Sequence, residues 1–415
     1  MTRGRSDRDL AAVLEAWMDD VAPPAAPDHL LEAAFGRTVG TGQARAYPWD
    51  RVRRRKPGPR GLVLLGLGGV AALLVISLGA ALLGGAGVGP GPTASPTPTP
   101  SPTASSSPSA PAPIPVTPEA SVAIVAPQSL ATDGTAVWVL TATGGVLRID
   151  PATNTAGPVV QTGGLTDLYN GIAVDRNGVW VTDWDNQTLY RLNPTTGKVV
   201  TQIPAGSAPK GVLATGTAVW VADTHMGQVL RIDPATNKVA VPITVGPIGS
   251  SGPNWLGRGL GSIWTGIPNS SKVVRIDEKT NAVQATISIP VDTVPCGAFA
   301  VTADAVWIPS CDSATTMARI DPVTNTAVAT VPLGGMAYTP ALIGGAPWVS
   351  ISTRVGTPAS IARISAATNA VDRRLSPGAD FGGGGDLVVA AGSVWAIDGG
   401  HDRVLRLPLS AFGPG

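Results

Sequence analysis

The chain has 415 residues, with 29 Lys and Arg against 28 Asp and Glu, a formal net charge of +1, 51 Gly, 39 Pro and two Cys. So even a balance leaves no basic footprint for nucleic acid, and two cysteines without neighbouring histidines make a poor metal site. Composition divides the chain into four zones, the middle two of them uncharged. Residues 1–60 carry 11 basic and 8 acidic groups, 61–118 carry none, and 119–415 carry 18 basic and 20 acidic groups.

Residues 1–60 read as a cytoplasmic helical segment. Ser6 and Asp9 make a capping-box-like start, and Leu10, Val13, Leu14, Trp17, Met18 and Val21 follow on one apolar stripe that ends at Pro23-Pro24. Asp28 can cap a second helix with Leu31, Ala34 and Phe35 turned inward. Two such helices bury little surface between them, so a partner is expected: another helix pair, the inner membrane leaflet or a cytoplasmic protein. Residues 61–86 read as one transmembrane helix, since the uncharged apolar run from Gly61 exceeds the roughly 20 residues that cross a bilayer. The cluster Arg51, Arg53, Arg54, Arg55, Lys56 and Arg60 just before it sets the N-terminus inside and the rest outside the cytoplasm. Residues 87–118 alternate Pro with Ser, Thr and Ala, which reads as a disordered, extended spacer, with glycosylation of its hydroxyls as a sharper alternative.

Residues 119–412 are dominated by a repeat. Trp138, Trp180, Trp220, Trp264, Trp307, Trp348 and Trp395 are spaced by 42, 40, 44, 43, 41 and 47 residues. Each lies in a Val-Trp-Val-like strand, followed by an Arg-Ile-Asp-Pro-like strand that begins at Arg148, Arg191, Arg231, Arg275, Arg319, Arg363 or Arg406. A period near 40 that holds four short strands predicts an all-β fold, a seven-bladed β-propeller. The recurrent Asp-Pro-Ala-Thr-Asn segment, near Asp150, Asp233 and Asp321 with variants at Asn193 and Asp277, reads as a turn. Its acids, and the repeated Arg and Trp, are structural. The last blade is one strand short, and the orphan strand Ser121–Val125 is placed to complete it and close the ring. Cys296 and Cys311 flank the inner hairpin of blade 5, centred near Ala303 and Asp304, and are expected to form a disulfide.

The run from Val179 to Asp183, Val-Trp-Val-Thr-Asp, followed by Leu189 to Val199, Leu-Tyr-Arg-Leu-Asn-Pro-Thr-Thr-Gly-Lys-Val, resembles the repeats of the streptogramin (virginiamycin) B lyase-like propellers. The likeness covers nearly all of residues 121–409 and implies the propeller fold. It would also imply a lyase site of clustered histidines and glutamates with a divalent metal. This domain offers only His225, His401, Glu119 and Glu278; Glu278 falls in a turn at the opposite face and Glu119 outside the repeat. The catalytic set therefore does not carry over, and no catalytic residue, metal or cofactor is expected.

Positions that differ between blades are the candidates for binding. Ten residues before the repeat tryptophans stand Gln128, Asn170, Lys210, Asn254, Tyr338 and Gly385, expected to ring the channel mouth. Tyr169, Trp184, Trp255 and Phe381 lie around them, and His225 and His401 occupy equivalent loops of blades 3 and 7. Aromatic faces with scattered amides suit a glycan or a protein. The expected function is ligand or protein binding, sensing or scaffolding by a membrane-tethered, single-pass, extracytoplasmic propeller. The alternatives are a lyase or hydrolase related to the resembled family, and a transmembrane signalling protein whose helices engage a sigma factor, since the layout resembles that of bacterial anti-sigma factors.

Overall fold

Blade 3 shows how the repeat becomes structure. Pro209–Ala214, Val219–Asp223, Gln228–Asp233 and Lys238–Thr244 pair antiparallel in that order, from the inside of the ring outward. The second strand is buried along its whole length while the outer strand is mostly exposed. A strand sandwiched between two neighbouring blades is buried on both faces, so it reads as continuous Val-Trp-Val rather than as an alternation. This computed structural model describes residues 111–162, 170–249, 252–290, 293–295, 297–310, 315–352 and 359–413. Seven such sheets make the seven blades. The sequence expectations for the cytoplasmic helices, the span and most of the linker lie outside the described residues, as do Tyr169, Cys296 and Cys311. Among the described residues no helix is long and apolar enough to cross a membrane.

The buried side chains form seven separate clusters, and each cluster joins two adjacent blades. Trp220, for example, packs with Ala218, Ala222 and Val229 of blade 3 and with Leu256, Ile263, Ile267 and Val274 of blade 4. Each repeat tryptophan faces the following blade in this way. In blades 2, 4, 5 and 7 its flat face carries the arginine of the next strand: the guanidinium carbons of Arg191, Arg275, Arg319 and Arg406 lie 5.0, 4.9, 5.3 and 5.5 Å from the ring centres of Trp180, Trp264, Trp307 and Trp395.

The arginines also reach across the blade boundary. Arg191 Nη1 donates to Pro234 O (2.8 Å) and Asn237 Oδ1 (2.7 Å) in the third-to-outer turn of blade 3. Arg275 does the same to Pro322 and Asn325, Arg319 to Ala366 and Asn369, and Arg406 to Pro151 and Asn154. The receiving asparagines hold φ between 52° and 56°, a left-handed conformation that Asn tolerates better than most residues. One asparagine thus closes its own turn and accepts the neighbour's arginine. Turn aspartates Asp233, Asp277 and Asp321 are held below the ordinary carboxylate range, chiefly by the backbone N–H groups of Ala235, Thr280 and Val323. These acids belong to turns, as their recurrence implied.

The ring closes as the short last blade requires. Ala120–Ala123 pairs antiparallel with Arg403–Pro408, and blade 7 is completed by the strand that leads into blade 1. A second contact was not visible in the pattern. Ile114–Pro115, inside the stretch read as spacer, pairs parallel with Leu375 and Ser376 at the outer edge of blade 6. Val116 N donates to Ser376 O at 2.8 Å, and the Val116 side chain enters the core between blades 6 and 7. Proline is admissible here because an edge strand needs donors on one side only.

Candidate functional site

The inner strands surround a central cavity of about 90 Å³. Ser129, Gly171, Trp255, Ala298, Thr339 and Asp386 line it, each nine residues ahead of its blade's tryptophan. The ring of residues at minus ten therefore sits one position off the cavity wall. The cause is local. The pairing of inner and second strands slips between Pro127 and Ser129 in blade 1 and between Pro209 and Val212 in blade 3. A bulge of one residue sends the following side chains to the other face.

Asp386 is the one carboxylate on the cavity wall. Ser129 Oγ donates to its Oδ2 at 2.5 Å and Leu130 N at 3.0 Å, and Thr339 also bonds it. It thereby ties blade 7 to blades 1 and 6. Burial pushes its carboxyl above the ordinary value, against the pull of these hydrogen bonds. Sequence comparison of the blades at minus nine instead of minus ten would have found it.

At the loop end of the strands of blades 3 and 7, the aspartate three residues after the tryptophan fastens the loop that precedes the inner strand. Asp223, 1% exposed, accepts from Ser207 N and Ala208 N, and Gly206 is required because a Cβ there would overlap that carboxylate. Asp398, fully buried, accepts from Gly382 N at 3.0 Å. Loops anchored in this way present the residues selected from the sequence. Asn170, 1% exposed, accepts the backbone N–H of Trp184 through Oδ1 at 2.9 Å. The half-buried Trp184 meets the exposed His225 of blade 3 edge-on, ring centres 5.0 Å apart at 74°. The Lys210 ammonium of blade 3 lies 6.0 Å from the ring centre of Trp255 in blade 4, and Gly211 N donates to Asn254 O at 2.9 Å.

Six of the selected residues thus come together over blades 2 to 4: Asn170, Trp184, His225, Lys210, Asn254 and Trp255. Tyr338 and His401 do not join them. Tyr338 stands against Gly384 of blade 7. His401 Nδ1 lies 3.2 Å from Asp398 Oδ1, and Arg403 Nε donates to the same carboxylate at 2.8 Å. Phe381 is buried in the core between blades 6 and 7, so it packs the fold. Among the described residues no group of three His, Cys, Asp or Glu comes close enough to hold a metal.

Neither a protein-family model nor a curated protein matches the sequence. Solved structures do match the fold. Selenomethionine-substituted virginiamycin B lyase from Staphylococcus aureus aligns over 70% of this chain and 98% of its own, at 16% identity and a TM-score of 0.57. Hydrazine synthase of Kuenenia stuttgartiensis aligns over 69% of this chain and 96% of its own, at 13% identity and a TM-score of 0.56. Identities this low carry the propeller architecture and nothing of the chemistry.

Proposed function

We propose that the chain is a membrane-tethered, extracytoplasmic binding propeller that holds a glycan or protein partner on the loop-end patch of blades 2 to 4, without chemical turnover. The observation that carries the reading is the pairing of unrepeated side chains across neighbouring blades: Trp184 against His225, and Lys210 against Trp255. None of the four belongs to the packing set that recurs in every blade, and half-buried aromatics beside polar groups are the usual anchors of binding surfaces. The tether rests on the uncharged run from Gly61 to Val88 and on the basic cluster before it. A Cys296–Cys311 disulfide is part of the reading; its support is that the two cysteines flank one antiparallel hairpin in which Ala300 stands opposite Trp307 and Val301 opposite Val306.

The test is capture by the full-length protein in lipid nanodiscs on arrays of cell-wall glycans and secreted proteins. Truncating an aromatic anchor costs about 2 kcal/mol, so Trp184→Ala and Trp255→Ala should each weaken capture roughly thirtyfold and leave the unfolding transition in place. Undiminished capture by both variants would move the site elsewhere. A bound small molecule recovered chemically altered, with the change abolished by His401→Ala, would replace binding by the lyase or hydrolase reading.

A further inference from the structure

The arginine clamp between blades is open at one boundary that carries a cleft. Blade 2 ends its third-to-outer turn with Gly197, at φ 70°, where the clamped turns place an asparagine. The amide oxygen that would receive the arginine of blade 1 is therefore missing. Arg148 is exposed, and its guanidinium has no hydrogen-bond, ion-pair or ring partner among the described residues. The outer strand of blade 1 is also interrupted. Thr155–Ala156 and Val160–Gln161 are separate short strands, with Gly157 and Pro158 between them. Proline has no N–H for the ladder, so the edge parts at that point. The result is a cleft of about 220 Å³ lined by Trp138, Arg148, Asp150, Thr195, Thr196 and Gly197, among other residues.

The chemistry of the wall selects its occupant. A guanidinium presents paired donors in a plane that match the two oxygens of a carboxylate. The hydroxyls of Thr195 and Thr196 add neutral donors to the lining, and the Trp138 ring adds apolar surface. Asp150 is the one acid of the wall, and its Oδ1 already accepts from Ala152 N at 2.9 Å. At roughly 30 Å³ per water, the volume equals that of about seven waters. That admits a carboxylate with a few further atoms and excludes a polymer segment. We propose that this cleft between blades 1 and 2, at the turn end of the strands and apart from the loop-end patch, is a second binding site that takes a small carboxylate, either a free short-chain acid or the terminal carboxylate of a peptide. Arg148 is its anchor, and the carboxylate takes the place of the asparagine amide that receives the arginine at the clamped boundaries.

Arginine-selective modification of the full-length protein by phenylglyoxal, mapped by mass spectrometry, tests this directly. Arg148 should react at least about tenfold faster than the clamped Arg191, Arg275, Arg319 and Arg406, because each of those forfeits charge-assisted hydrogen bonds on reacting. Millimolar propionate should protect Arg148, and propionamide should not. An N-acetylated tripeptide with a free C-terminus, set against its C-terminal amide, decides whether a chain end also enters. Gly197→Asn should restore the clamp, slow Arg148 to the rate of the other arginines and abolish the protection by acid. Arg148 reacting as slowly as the clamped arginines in the unaltered protein, or equal protection by acid and amide, would overturn the proposal. Circular dichroism of the Gly197→Asn protein separates loss of the cleft from loss of the fold.

Discussion

Blade 1 has two neighbours and meets them in opposite ways. Against blade 7 it is fastened by Arg406, which lies over Trp395, donates to Pro151 and Asn154 and pairs with Glu119 at 3.0 Å. Val122 and Ile124 of the closing strand enter the same core, and Asp386 reaches Ser129 from the channel side. Against blade 2 the arginine is idle, the receiving asparagine is a glycine and the outer strand is broken. The first boundary adjoins blade 7, whose sheet is closed by the pairing of Ala120–Ala123 with Arg403–Pro408 and not by a covalent link. Each further contact there opposes opening of the ring. The second boundary lies away from that seam, and there the fold can relax the clamp and still hold together.

The largest test of this contrast is Trp395→Ala. The ring is fully buried in the core between blades 7 and 1, so its loss should lower stability by about 3–5 kcal/mol, read from the urea midpoint. Next comes a matched pair. Arg406→Ala removes charge-assisted hydrogen bonds and should cost about 1.5–3 kcal/mol, whereas Arg148→Ala should stay within about 0.5 kcal/mol of the unaltered protein. Equal effects of the two would erase the distinction between the boundaries. The smallest effect is at Asp386. Its folded-state pKa is raised by burial, so the native protein keeps a proton that the unfolded chain releases above the ordinary value of 3.8. Stability therefore falls as pH rises from that value towards the folded pKa. Asp386→Asn retains an acceptor for Ser129 and Leu130 but cannot ionise, so its thermal midpoint should gain on that of the unaltered protein as pH rises. A constant offset across that range would remove the carboxyl from the account.

The blade count was legible because one tryptophan fills the same inter-blade core in each repeat, and a residue that does one job repeatedly leaves a period. The closing strand was legible because a ring with an unpaired edge is not a stable end point. The ring at minus ten was chosen for the channel mouth, whereas the residues that line the cavity stand at minus nine; in blades 1 and 3 the inner strands also begin with slipped pairing, which counting back from Trp138 or Trp220 does not register. Trp184 and His225 were both singled out, but their contact depends on the approach of two loops from different blades, which no local pattern encodes. Nor does a two-residue strand such as Ile114–Pro115 leave a periodicity to detect.

That short parallel strand has a mechanical consequence. Under the proposed tether, tension would arrive through the chain ahead of residue 111 whenever a bound partner and the anchor moved apart. The load meets Ile114–Val116 on blade 6 before it can reach Ala120–Ala123. The pairing with Leu375 and Ser376, together with the buried Val116, then acts as a strain relief, passing force into the body of blade 6 and sparing the strand whose peeling would open the ring.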